Sequence, residues 1–210
     1  KYLKFYKYLM IANDDDIYEK NFILQNIQNI KKKELDLSYS LLKTTTLSKI
    51  YRNFPLYKFD KFYQNLFYFL LYRNPVPICF GVFKTKKFIN NLENYMYFDE
   101  SKTNYDNVFI FSCLLKMKID YIQKKLFTYR IKDRDKVASN RNIKHSFNDS
   151  IYQLLIFKYQ FTFLKKILAL ILRDRKIGSL MKSVLLFYTI FLYPAKVGTF
   201  LIKQNINKYF

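Results

Sequence analysis

The chain has 210 residues, half of them hydrophobic, which suffices for a packed core and excludes wholesale disorder. Basic residues outnumber acidic ones 37 to 16, a formal charge of +21 that attracts polyanions, although Lys, Phe and Tyr are also what an AT-rich genome over-supplies. Three glycines, a single His145 and two distant cysteines, Cys79 and Cys113, exclude a glycine-rich phosphate loop, a Cys/His zinc site and a disulfide framework, and so favour a reducing compartment.

In chain order, the apolar run from Phe5 to Ala12 predicts a buried strand ending in an Asn13-Asp14-Asp15-Asp16 turn. Ile17 to Lys31 predicts an amphipathic helix, with Phe22, Ile23, Ile27 and Ile30 at helical spacing and Asp16 available as its cap. Glu34 to Leu42 alternates and predicts a half-buried strand. Lys58 to Tyr72 predicts an aromatic-faced helix, stopped by Asn74-Pro75-Val76-Pro77. Ile78 to Phe83 predicts a second buried strand, followed by helices over Thr85 to Asn94 and Thr103 to Met117. Ile119 to Ile122 and Leu126 to Ile131 predict two short strands before a charged loop. From Ser150 the texture turns apolar and helical, with a break near Arg173 to Lys176. Alternating strands and helices predict an α/β layered domain over 1–149, and 150–210 a basic, aromatic-rich helical appendage. The longest uncharged run there, Ser183 to Ala195, is short for a membrane span and suits a membrane surface better.

Acidic residues are scarce, so three consecutive aspartates directly after a strand stand out. Adjacent carboxylates repel, and a hard divalent cation relieves that repulsion. The plainer reading is a solvated turn with Asp16 capping a helix. Asp106 opens a predicted helix, where the dipole favours an acid whether or not it does chemistry. Tyr129-Arg130, with Lys132, Arg134, Lys136 and Arg141, could hold phosphate or could be a solvated charged loop. Cys79 and Cys113 sit in apolar runs and read as core, His145 as an exposed loop residue.

In order, Tyr8 to Tyr18 with Glu19-Lys20-Asn21-Phe22-Ile23 resembles the DxD region of family-two nucleotide-sugar glycosyltransferases. Pro77 to Lys84 resembles that family's mid-domain strand. Tyr105-Asp106-Asn107-Val108-Phe109 and the stretch from Lys118 to Ile131 resemble the segment holding its catalytic base and its L-x-x-Y-R strand. The resemblance covers roughly Tyr6 to Asn140 and implies a partial GT-A (Rossmann-like) fold lacking its first strands, and inverting transfer from a nucleotide-sugar donor. It implies that Asp14, Asp15 and Asp16 bind Mg²⁺ or Mn²⁺, that Asp15 and Arg130 hold the donor diphosphate, and that Asp106 is the base. The family's first motif acid is Asn13 here, the acid before the base is Tyr105, and the N-terminal nucleotide-binding strand has no counterpart. The chain thus reads as N-terminally truncated and, alone, poorly active.

The implied acceptor is a glycan or lipid-linked sugar, in surface polysaccharide synthesis, with no nucleic acid partner. The implied location is cytoplasmic, peripheral on the inner face of the membrane. The rival reading is a basic RNA-binding or ribosomal-type protein, which explains the charge and the aromatics but not the acidic triplet.

Overall fold

In the computed structural model, residues 5–12, 16–44, 56–72, 76–96, 105–129 and 148–192 are described. The elements in chain order are β1 (Tyr8–Met10), β2 (Ile17–Tyr18), α1 (Phe22–Lys33), β3 (Leu37–Thr44), a 3-10 turn (Phe59–Lys61) leading into α2 (Phe62–Tyr72), the single turn α3 (Val76–Cys79), β4 (Val82–Lys84), α4 (Thr85–Met96), α5 (Tyr105–Lys116), β5 (Ile119–Tyr129), α6 (Asn148–Arg173) and α7 (Ser179–Phe187), which runs into a π-turn (Tyr188–Leu192). The strands form one five-stranded mixed sheet in the order β1-β4-β3-β5-β2. β3 and β5 are parallel, and every other neighbouring pair is antiparallel.

β3 is the centre of the molecule. The alternation predicts a strand wet on one face, but every residue from Leu35 to Ser40 is buried. The apolar positions Leu37 and Tyr39 face one core with Phe69, Phe83, Phe109 and Phe111. The polar position Ser38 faces α1, where its hydroxyl finds partners: Ser38 Oγ donates to Asn26 Oδ1 (2.8 Å) and accepts from Asn29 Nδ2 (2.9 Å). Asn26 in turn donates to the Phe22 carbonyl (2.9 Å), so a hydrogen-bonded polar layer substitutes for solvent.

α1 covers this second face with Phe22, Asn26 and Ile30, spaced four residues apart. It begins five residues later than the pattern predicts. Ile17 and Tyr18 instead pair with Thr128 and Phe127, and the helix starts from Asn21 with no side-chain cap. The residue preceding α1 is thus Asn21 rather than Asp16, which leads into β2. The far end of α1 is anchored by Lys33, whose Nζ lies 2.6 Å from Oδ2 of the buried Asp120 at the start of β5.

Three further expectations change. The first strand is only three residues, half-buried at the sheet edge, because Phe5 and Tyr6 project into solvent. Ile78 and Cys79 are helical rather than extended: the Gly81 N–H closes a turn on the Ile78 carbonyl (3.0 Å) and the strand begins at Val82. A β-carbon at Gly81 would lie 2.7 Å from Leu37 Cδ1 and 2.8 Å from the Ser38 carbonyl oxygen, so this turn can press on β3 only as glycine. The two short strands after Met117 are one eleven-residue strand, β5, with register shifts against β3 around Leu41. Its exposed middle, Gln123 to Lys125, carries the irregularity, which is why the apolar pattern breaks there.

The helices after residue 148 join the main core. Phe163, Ile167, Ile171, Ile177 and Leu185 are buried in the same cluster as Leu37 and Phe109. Among the described residues, no helix is long and apolar enough to cross a membrane.

Candidate active site at the carboxyl ends of the strands

β1 and β3 both run antiparallel to β4, and β3 runs parallel to β5, so β1, β3 and β5 point the same way. β3 and β5 finish together, Thr44 opposite Tyr129. β2 starts at that same end, with Ile17 opposite Thr128. Asp16, partly buried, thus sits one residue from the paired strand ends, and the chain leaves β5 toward Arg130 beside the point where it arrives from Asp15. In open α/β sheets, ligands gather at the carboxyl ends of strands because backbone groups and following loops converge there.

Beneath this edge lies an aromatic floor. Tyr18 stacks on Phe127 (ring centroids 5.0 Å apart, 24° between planes) and meets Phe22 edge-on at 5.1 Å. Phe80 lies 5.2 Å from Phe127 and 6.3 Å from Tyr129. These five rings come from β2, α1, the turn before β4, and β5. They fix the strand ends rigidly against one another, as offset and edge-on ring pairs do. The sequence reading passes over Tyr18 and Phe80 as parts of a helix and a strand, since no local spacing links them.

Asp14, Asp15 and Arg130 lie outside the described residues. For Asp106 the structure describes the helical position alone, in the first turn of α5. The C-terminal end of α5 joins the amino end of β5 through two residues, so Asp106 stands about 18 Å from that junction, one helix length away. Asp16 and the end of β5 are therefore brought together by the fold, and Asp106 is placed at the end of α5 farthest from the amino ends of the strands. Among the described residues, no group of three His, Cys, Asp or Glu side chains could hold a metal ion.

Cys113 is fully buried, and burial pushes its thiol well above the usual range, which removes it as a nucleophile. The aromatic face of α2 packs inward through Phe69, 5.3 Å from Phe111, as the core reading expects.

No family model and no curated protein matches the sequence. Solved structures do match the fold. S. aureus TarS 1-349 in complex with UDP-GlcNAc superposes with a TM-score of 0.53 at 14% identity, over 90% of this chain and 49% of that one. The same TarS fragment in complex with UDP, and another crystal structure of it, each give 0.51 at 13% identity, over 90% of this chain and 48% of that one. The chain spans about half the length of these matched chains. The chain is thus a mixed α/β fold around a five-stranded sheet, similar to that of TarS.

Proposed function

We propose that the chain is part of an inverting glycosyltransferase that moves a sugar from a nucleoside diphosphate donor, UDP-linked as in the TarS complex, onto a glycan or lipid-linked acceptor. The observation that carries this reading is the meeting of β2 and β5. It brings the residue that ends the acidic run, Asp16, beside the strand that leads to Arg130, on a sheet similar to that of a protein crystallised with UDP-GlcNAc. Met10 and Ile17 lie on the two edge strands of the sheet.

In this reading Asp14, Asp15 and Asp16 form an all-oxygen donor set, the kind that suits Mg²⁺ or Mn²⁺. Such a cation, when bound, neutralises charge growing on the diphosphate leaving group. Asp15 and Arg130 orient the diphosphate. Asp106 accepts the proton of the acceptor hydroxyl as its oxygen attacks the anomeric carbon from the face opposite the leaving group. The location we propose is cytoplasmic, on the inner face of the membrane, in surface polysaccharide synthesis.

The test is UDP binding to the purified full chain with Mn²⁺, followed by transfer from UDP-GlcNAc. Asp15→Ala is expected to weaken UDP binding about tenfold or more, and Asp106→Asn to leave UDP binding intact while lowering turnover on the order of 100-fold. If UDP and UDP-sugars do not bind with either metal, and RNA binds with a steep salt dependence, the RNA-binding reading replaces this one.

A further inference from the structure

At the opposite end of the sheet, the amino ends of β1, β3 and β5 surround a concave cavity of about 580 Å³. That lies within the roughly 300–1,000 Å³ usual for small-molecule sites. Its lining holds seven lysines and two carboxylates. Asp36, on the floor, engages two of the lysines: Lys84 and Lys87 each approach its carboxylate oxygens to 3.6 Å. It also accepts the Lys118 N–H at 3.1 Å, so it is committed to the fold.

The other five lysines have no ion pair among the described residues. Lys31 and Lys116 sit in the last turns of α1 and α5, where the helix dipole accounts for a cation. Lys7, Lys118 and Lys176 have no such reason to be there. They arrive separately, from the lead-in to β1, the turn before β5 and the turn between α6 and α7. Lys7 lies 5.9 Å from the Tyr8 ring, a weak hold. Like charges gathered in one hollow repel, and that cost is recovered only when an anion enters. A single phosphate would leave most of the excess charge unanswered.

We propose that this cavity is a second binding site, for an anion carrying several phosphates close together. It lies at the sheet end remote from the proposed donor site and does not depend on the glycosyltransferase reading. The phosphates can belong to a free polyphosphate or to a phosphorylated lipid headgroup.

The experiment titrates the full chain with inorganic tripolyphosphate, by calorimetry at low and high salt, and with phosphatidylcholine vesicles carrying a bisphosphorylated inositol lipid. Two triple variants are compared: Lys7→Gln/Lys118→Gln/Lys176→Gln in the cavity, and Lys20→Gln/Lys32→Gln/Lys124→Gln, exposed and outside it. Both lose three charges, and both should keep the wild-type melting temperature because no side-chain hydrogen bond is removed. The cavity triple should weaken tripolyphosphate binding about tenfold, the other triple by less than about twofold. Vesicle binding that the cavity triple loses and tripolyphosphate does not displace assigns the phosphates to lipid; displacement assigns them to a soluble ligand. Equal weakening in both triples, or no binding to either probe, overturns the site.

Discussion

Tyr39 and Tyr57 are both buried in the core, yet their hydroxyls have opposite fates. The Tyr57 N–H donates to the Tyr39 hydroxyl at 2.7 Å, and that hydroxyl donates to the Tyr57 carbonyl at 3.2 Å, so one side chain of β3 satisfies the backbone entering α2. The Tyr57 hydroxyl has no partner among the described residues. Tyr39→Phe should therefore cost about 1–3 kcal/mol, while Tyr57→Phe should stay within about 0.5 kcal/mol or stabilise, measured by denaturant unfolding. Burial is the largest cause raising both phenols above their ordinary value of 10. For a group raised in the folded state, the contribution is intact below the unfolded value and is lost as pH climbs past it. Stability should hold through neutral pH and fall in alkali above about pH 10, and less steeply in Tyr57→Phe. A flat profile through that range would show that neither phenol is desolvated.

At the scale of elements, α6 and α7 belong to the fold. Ile167 is fully buried among the residues that cover β3 and β4. Ile167→Ala should lower stability by about 2–5 kcal/mol, read from the urea midpoint; a change near zero would mean that α6 packs loosely. The break between these helices was legible in the charged run from Arg173 to Lys176, and α4 and α5 were legible from their spacing. The errors share one cause. Ile17-Tyr18, Ile78-Cys79 and the middle of β5 are decided by partners far away in sequence, and local periodicity does not register them. The polar face of β3 misled for a related reason, since Ser38 reads as wet until Asn26 and Asn29 are placed over it. For the candidate site, the sequence singled out Asp16 and Arg130 as candidates, but the meeting of β2 with the end of β5 is a tertiary fact. The aromatic floor has no spacing of its own to reveal it.

Across the whole molecule, charge and apolar surface are unevenly placed. Leu180, Val184, Phe187 and Phe191 form one exposed stripe along α7 and its π-turn, with Leu180 80% and Phe191 60% exposed, while Leu185 and Thr189 turn inward. Such a stripe on a strongly basic protein suits an anionic membrane surface. The triple change Leu180→Ser, Phe187→Ser, Phe191→Ser should leave the melting temperature nearly unchanged and abolish flotation with anionic vesicles, while tripolyphosphate binding persists. No flotation of the unaltered chain, or flotation unchanged in the triple variant, would overturn this expectation.

The pairing of β3 with β5 bears on how the chain reaches this fold at all. Leu37 and Ile119, which open the ladder, are 82 residues apart. The central strand emerges from the ribosome long before its parallel neighbour is synthesised. Until then Leu37 and Tyr39 have only the short β4 and their adjoining helices to shelter them. A topology closed by so distant a pairing folds slowly and leaves a sticky nascent chain in the meantime. Until that pairing forms, the apolar face of the central strand stays available to whatever apolar surface the nascent chain meets, so the order of synthesis shapes folding as much as the stability of the finished sheet does.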